Sequence, residues 1–292
     1  GIVSEQLEEF GRIIHSKIMP ELEANGIHIY YNRPAPEACA SQIRELFFSR
    51  VLAFIQPVFI EEPFQKDFFP ENNKLYFFVL LKKEGSELLS HAVVNIPAEK
   101  LPRFFQLQME NDEQHLVFLD DIIRDNLPCI FTGFIIHASY SFKITRDAEL
   151  YLNEEGIEKD ILKELEKKLA KRDFGSPTRL LFENGMPLSL QKYLAGLLGL
   201  KHEELYVGGR YHNLSQLSSL PVSRKDLEYP PMQQLKPLGL EYCGDIFRQI
   251  EAKDILLHFP YQSYNPVLSF FNQAAIDPEV ESISVTLYRV AA

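Results

Sequence analysis

The chain has 292 residues, 46% hydrophobic and 24% charged, a balance that excludes a disordered or fibrous protein and a length that favours two domains over one. Its formal net charge of -11 argues against a surface that coats nucleic acid, so a polyanionic ligand needs a local basic pocket. Three widely spaced cysteines, Cys39, Cys129 and Cys243, exclude a disulfide framework or a cysteine-rich zinc site and fit a reducing, cytoplasmic compartment.

Gly1 to Gln6 read straight into a helix without an initiator Met, so the chain is expected to be cut from something longer. No run approaches the ~18 apolar residues of a membrane span, and no basic-then-apolar leader is read. Leu7, Phe10, Ile13, Ile14, Ile18 and Leu22 recur at helical spacing, with Pro20 expected to kink the helix and Asn25-Gly26 to end it. Ile27 to Tyr31 reads as a short strand and residues 36–54 as a second helix. Gln56 to Lys74, rich in Pro and Phe, reads as an ordered loop. The apolar runs Leu75–Leu81 and Leu88–Ile96, joined through Glu84-Gly85-Ser86, carry a hairpin signal. Further strands are expected at 115–119, 134–144, 178–183 and 204–207, with helices at 154–171 and 187–198.

Four prolines between Leu220 and Tyr242 read as a linker. Beyond it the pattern becomes regular: a helix at 245–253, a strand at 255–258, a helix at 265–275 and a strand at 283–287. Asn265 is the expected N-cap, Pro266 the first helical residue, and Val267, Leu268, Phe270, Phe271, Ala274 and Ala275 the buried face. The reading is an α+β domain over residues 1–220, a linker over 221–242, and over 243–292 the strand–helix–strand opening of an α/β domain.

Residues that could carry chemistry are few. The chain has no Walker-type loop, nucleophile elbow or clustered Cys/His ligand set. His91 and His137, inside apolar strands, read as structural. His258 ends its strand, where α/β sheets bind ligands, although such a histidine is more often structural. Arg289 closes the second strand of the same unit and offers a rigid fork of donors for phosphate oxygens; a surface salt bridge is the competing reading. Arg146, beside Asp147, reads as pairing with neighbours or capping a turn. The mixed charges of Lys159–Arg172 read as a solvated helix face, and Gly208-Gly209 as a turn rather than a phosphate loop.

The segment Asp254-Ile-Leu-Leu-His258-Phe-Pro-Tyr261-Gln-Ser263, with Ala274-Ala275-x-Asp277-Pro278-x-Val280 and Thr286-Leu-Tyr-Arg289, resembles the type-1 polyphosphate kinases. Leu101-Pro-Arg103-Phe104, Phe142-Lys-Ile-Thr-Arg146-Asp-Ala-Glu-Leu150 and Arg172-Asp-Phe-Gly175 agree with that resemblance in order. It implies the family's middle "head" domain followed by the start of its first phospholipase D-like catalytic domain. The implied reaction is reversible transfer of the terminal phosphoryl of ATP to inorganic polyphosphate through a phosphohistidine, with Mg²⁺ assisting.

The family's nucleophilic histidine is expected downstream of Ala292, so this chain alone is expected to be inactive. By the same resemblance Arg289 is the phosphate-binding residue, associated with Mg²⁺ only through phosphate or water, with His258 and Tyr261 as neighbours. A homodimer or tetramer formed through the head domain is implied, and the apolar stretch with Phe59, Phe64, Phe68 and Phe69 is a candidate contact. Two other readings stand beside the kinase: a non-catalytic dimerisation or scaffold module, and a fragment of a phospholipase D-like hydrolase.

Overall fold

The computed structural model describes residues 2–60, 70–110, 113–147, 175–222, 224–237, 240 and 245–286. By packing, the chain divides into two compact units, Gly1–Val222 and Ser223–Ala292.

The first unit opens with α1 (Ile2–Ile13), a wide π-type turn (Ile14–Ile18) and α2 (Met19–Ala24). The wide turn directly precedes Pro20, which has no N–H to continue an α-helical ladder, and the Met19 amide bonds to Ile14 O instead. One extra residue in a turn rotates the downstream part of the helix by about 100°, so the apolar stripe expected along this helix is not continuous. Ile14 is buried, whereas Leu7, Phe10 and Ile18 are exposed. The expected helix at 36–54 is likewise broken, into a 3₁₀ turn (Glu37–Cys39), α3 (Ala40–Leu46), a second wide turn (Phe47–Val51) and a 3₁₀ end.

Among the described residues of this unit, two mixed sheets form. The larger has the order β2-β4-β3-β7-β8-β9, where β2 is Pro57–Ile60, β3 Leu75–Lys83, β4 Leu89–Ile96, β7 Phe134–Arg146, β8 Pro177–Glu183 and β9 Leu205–Gly208. Its pairs are antiparallel except β8 with β9. The smaller has the order β1-β6-β5, with β1 at Ile27–Ile29, β5 at Phe104–Leu107 and β6 at Gln114–Phe118.

Strand β3 is buried on both faces, which explains why its sequence is a continuous apolar run rather than an alternation. Phe77, Val79 and Leu81 face one core with Phe47 and Val51, while Tyr76 and Phe78 face another with Phe142, Phe182 and Leu194. Each fully buried Phe or Leu contributes about 1.5–3 kcal/mol. Leu190, Leu194 and Leu198 come from α6 (Leu188–Leu198), which stops at Gly199 with φ +68°, a left-handed conformation glycine adopts without steric cost. A third core joins Ile14 to Ile27, Ile29, Phe104, Leu116, Phe118 and Tyr211.

Several expectations are corrected here. The stretch read as a loop from Gln56 contains β2, whose backbone pairs with β4 despite Pro57 because Pro is tolerated at the start of an edge strand. Phe59 is therefore a strand residue, packed at 5.5 Å on Phe131 and 5.3 Å on Phe134. Phe64, Phe68 and Phe69, and the helix expected at 154–171 with its charge run, lie outside the described residues. Strand β5 and two short helices, α4 (Leu119–Asp125) and α5 (Leu127–Ile130), were not expected. His137 is exposed rather than set inside the sheet, because the β3–β7 register slips there, Leu80 facing Ala138 and Leu81 facing Ile136.

The second unit contains α7 (Ile246–Ala252), capped by Asp245 accepting from the Arg248 amide, and α8 (Asn265–Ile276). Phe247 packs edge-on against Phe270 at 5.6 Å. Asn265 is the first helical residue and not the cap; its amide donates to Ser263 Oγ. Leu268 and Ala275, expected on the buried face, are exposed. Neither 255–258 nor 283–286 is a strand. A strand exists only by exchanging backbone hydrogen bonds with a neighbour, and the described residues of this unit provide a single bridge, Leu235 to Gln262.

Candidate functional site

His258 and Tyr261 lie in one tight turn. The His258 amide donates to Gln262 Oε1 at 2.7 Å and the Gln262 amide returns to His258 O at 2.9 Å. Leu235 and Ser263 close the turn from the other side, the Leu235 amide donating to Tyr261 O at 2.8 Å and the Ser263 amide to Leu235 O at 3.1 Å. Tyr261 is 51% exposed and its ring stands 5.1 Å from that of His258, which is also exposed. The turn thus brings an imidazole and a phenol together at the surface, but from a hydrogen-bonded turn and not from the end of a strand. Arg289 lies outside the described residues.

Two arginines of the earlier motifs, Arg103 and Arg146, are structural; Arg172 lies outside the described residues. Arg103 and Asp120 form a buried ion pair at 2.8 Å, each side chain 2% exposed, and Arg103 also donates to His212 O and Gln216 Oε1. Burial pushes the Asp120 carboxyl up to about 6 against the pull of Arg103. Arg146 is buried and ties its strand to two segments: its Nε donates to Pro70 O and its amide to Asn72 Oδ1 in one, and its Nη1 to Gly175 O in the other. Its role is structural, as read, but these partners are distant in sequence rather than neighbours. His91 is held between Phe78 and Tyr193, at 5.4 and 4.3 Å, a packing role.

Sequence reasoning did not anticipate how far this polar interior extends. Asp121 accepts from the Tyr211 hydroxyl at 2.6 Å and from Arg210 at 2.7 Å. Arg124 pairs with Glu183 at 2.7 Å, and Glu183 also accepts from the Ser141 amide. Burial, then Asp121, raises the Tyr211 pKa, so the phenol stays protonated as a donor. His212 is buried with Nε2 at 3.1 Å from Ser141 Oγ and no partner at Nδ1 among the described residues, and burial drives its pKa down to about 4. Gly208 packs tightly here; a Cβ would meet Leu181 and His212 at 3.0–3.1 Å. Gly208 is thus the closely packed last residue of β9, and the turn expected at Gly208-Gly209 is a strand end instead.

A second unanticipated cluster sits on the small sheet, where His28, Glu113 and His115 place ligand-type atoms within 4.8 Å of one another. The one His-x-Lys triplet of the chain, His15-Ser16-Lys17, is exposed in the wide turn of the N-terminal helix.

The family model described as "Polyphosphate kinase middle domain" matches residues 39–220, and "Polyphosphate kinase C-terminal domain 1" matches residues 245–292. The chain is 31% identical over 296 residues to a polyphosphate kinase of Vibrio parahaemolyticus, covering 99% of this chain and 42% of the relative. It is 30% identical over 298 residues to one of Pseudomonas aeruginosa, covering 100% and 43%. The crystal structure of the polyphosphate kinase from Porphyromonas gingivalis superposes with a TM-score of 0.76 at 30% identity, covering 99% of this chain and 42% of that one. The chain thus spans about two fifths of the length of these relatives. No helix among the described residues is long and apolar enough to cross a membrane. With mixed α and β structure in the first unit and both family models matched in order, the chain belongs to the polyphosphate kinase family.

Proposed function

We propose that this chain is the head domain and the start of the first phospholipase D-like catalytic domain of a cytoplasmic ATP:polyphosphate phosphotransferase. The enzyme moves the terminal phosphoryl of ATP onto a histidine outside residues 1–292 and then onto the end of a polyphosphate chain, reversibly. The observation that carries the reading is the unbroken order of the two family matches, 39–220 then 245–292, over a chain that aligns at 99% coverage with a polyphosphate kinase structure.

The chemistry requires donors that neutralise charge on the equatorial phosphoryl oxygens as the bond to ADP breaks and the bond to the imidazole nitrogen forms. Arg289, inside the second family match, is the proposed donor, with a planar fork suited to two phosphate oxygens. His258 and Tyr261 supply an exposed imidazole and hydroxyl near it in sequence. These groups do not suit Mg²⁺, which takes hard oxygen ligands, usually carboxylates and waters. An arginine repels the ion. Mg²⁺ therefore belongs to the nucleotide and polyphosphate as part of the substrate, and Arg289, His258 and Tyr261 are not its cage. Self-association through the head domain, as a dimer or tetramer, completes the reading.

The test is made on the longer protein that contains this chain. Incubated with ATP and Mg²⁺ it should build polyphosphate, and with polyphosphate and ADP it should regenerate ATP. Hydrolysis of phosphodiesters without either transfer would overturn the kinase reading in favour of a phospholipase D-like hydrolase.

A further inference from the structure

The small sheet pairs β1 with β6 in parallel, and the register sets His28 directly against His115. Residues at matching positions of adjacent strands project on the same face, so the two imidazoles meet, with ring centroids 4.6 Å apart and planes 7° from parallel. Glu113, just before β6, turns back over the pair, and its Oε2 accepts from His28 Nε2 at 2.9 Å. Gly26 lies beneath it at φ +74°, and a Cβ there would stand 3.5 Å from the Glu113 side chain, an ordinary contact.

Each imidazole also has its other nitrogen engaged. His28 Nδ1 lies 3.4 Å from Glu23 Oε1, and Glu23 is itself held by Arg33 at 3.0 Å. His115 Nδ1 lies 2.8 Å from the Tyr30 hydroxyl. A histidine that binds a metal through one nitrogen almost always donates from the other to a carboxylate or oxygen, which fixes tautomer and orientation.

We propose that His28, His115 and Glu113 form a binding site for a borderline divalent transition ion of the Zn²⁺ class, with water in the fourth position. Two imidazoles and one carboxylate are a donor set that Zn²⁺ takes with one position left open. Zn–N and Zn–O bonds near 2.0–2.2 Å place tetrahedral ligand atoms roughly 3.3 Å apart. The 2.9 Å contact between His28 and Glu113 is already close to that, and the trio as a whole lies within 4.8 Å.

Closing the remaining gap takes a ring movement. Stacked rings aim their lone pairs side by side, and His28, with its side chain 18% exposed, is the ring with room to turn. Bound to the ion, His28 would keep a proton on Nδ1 for Glu23 and offer Nε2 as the lone-pair donor. The ion would tie β1 to β6 and, through Glu23, to the end of α2. It is chemically distinct from the Mg²⁺ that accompanies nucleotide, since imidazole is a poor Mg²⁺ ligand.

The experiment titrates Co²⁺ into the 292-residue chain at pH 7.5 and follows the visible d–d bands of a tetrahedral ion, with Zn²⁺ as competitor. One equivalent should develop the bands and one of Zn²⁺ should abolish them. His28→Gln and Glu113→Gln should each remove them, while Glu23→Gln should weaken binding about 10–100-fold, as loss of an orienting partner does. His258→Gln, in the other unit, should leave the titration unchanged. Thermal midpoints measured without metal confirm that each variant is folded; the Glu113 side chain, 47% exposed, makes Glu113→Gln the safer of the two ligand variants. Absence of the bands in the wild type, or their survival in both His28→Gln and Glu113→Gln, would overturn the proposal.

Discussion

The two units handle polar groups in opposite ways. Residues 1–222 bury charge: Arg103, Asp120, Asp121, Arg146, Glu183 and His212 are all inside and tied to one another or to backbone. Among its described residues, the second unit buries Pro237, Ile246, Pro266 and Ala274, all uncharged, while its histidine and tyrosine at 258 and 261 stand in solvent. A buried ion pair fixes geometry at the expense of desolvation, and removing one partner leaves an uncompensated charge. An exposed imidazole or guanidinium costs the fold little and stays available to a ligand. Polar residues in the first unit should therefore act on stability, and those proposed for phosphate binding in the second on turnover.

The largest effect expected on the first side is at Asp120. Asp120→Ala leaves the Arg103 guanidinium buried and unpaired, and should cost about 3–5 kcal/mol of stability. The double replacement Arg103→Met with Asp120→Leu should recover most of that loss, because the desolvation penalty disappears with the charges. Chemical denaturation of the three proteins checks both points. A single variant that unfolds at the wild-type midpoint would remove the proposed contrast at its root.

Arg289 is the counterpart in the second unit. In the longer enzyme, Arg289→Ala should reduce the rate of polyphosphate synthesis by about 10²–10³-fold, the loss typical of one preorganised transition-state donor, or roughly 3–4 kcal/mol. Arg289→Lys keeps the charge but not the fork and should still be impaired. Thermal midpoints should barely move. Near wild-type turnover in Arg289→Ala, or a loss that merely tracks unfolding, would make this residue structural.

Legibility in the residues divides along the same line. The run from Leu75 to Leu81, bounded by Glu84-Gly85-Ser86, announced the β3–β4 hairpin, because both the apolar density and the turn are local. The alternation at Ile283 and Val285 looked equally strand-like, yet those residues pair with nothing among the described residues. Alternation encodes which face is buried; the partner strand is not written in it. Strand β5 escaped notice because Phe104–Leu107 is four residues long and comes just after Pro102. For the site, Arg103 drew attention as part of a motif, but its partner Asp120 is invisible until β6 and α4 bring it inside. His28 and His115 gave no signal at all, since a parallel pairing between residues 87 positions apart has no local sequence mark.

A smaller effect is expected from pH. The folded state holds His212 neutral, with its pKa lowered to about 4 from an ordinary 6.5. In the unfolded chain the ring takes a proton below about 6.5, so this group's contribution is complete above that pH and is lost as pH falls toward about 4. The loss approaches about 3 kcal/mol at its limit. Asp120 acts in the opposite sense: its raised pKa, about 6 against 3.8, favours the folded state at low pH and lowers stability as pH rises between those values. The wild-type curve mixes the two, so the informative quantity is the stability difference between wild type and His212→Gln. That difference should shrink from pH 7 to pH 5. If it is constant, His212 is not held neutral by burial.

The smallest effect expected is none. Incubated alone with labelled ATP and Mg²⁺, the 292-residue chain should acquire no phosphohistidine, the acid-labile and base-stable adduct that the proposed mechanism requires. Exposure is not what prevents it, for His15, His202 and His258 are all at the surface. What the described residues do not place around them is the arrangement a nucleophile needs: a hydrogen-bonded base or orienting group and a set of donors for the phosphoryl oxygens. His258 touches the Tyr261 ring and its own turn, and His15 lies in a helix beside Lys17 with no acidic partner among the described residues. Label above that of heat-denatured protein would contradict this, and mapping it would separate the alternatives. At His258 it would move the reacting centre into the described part of the second unit. At His15 it would place chemistry in the unit argued to be structural, and the contrast between the two units would fail.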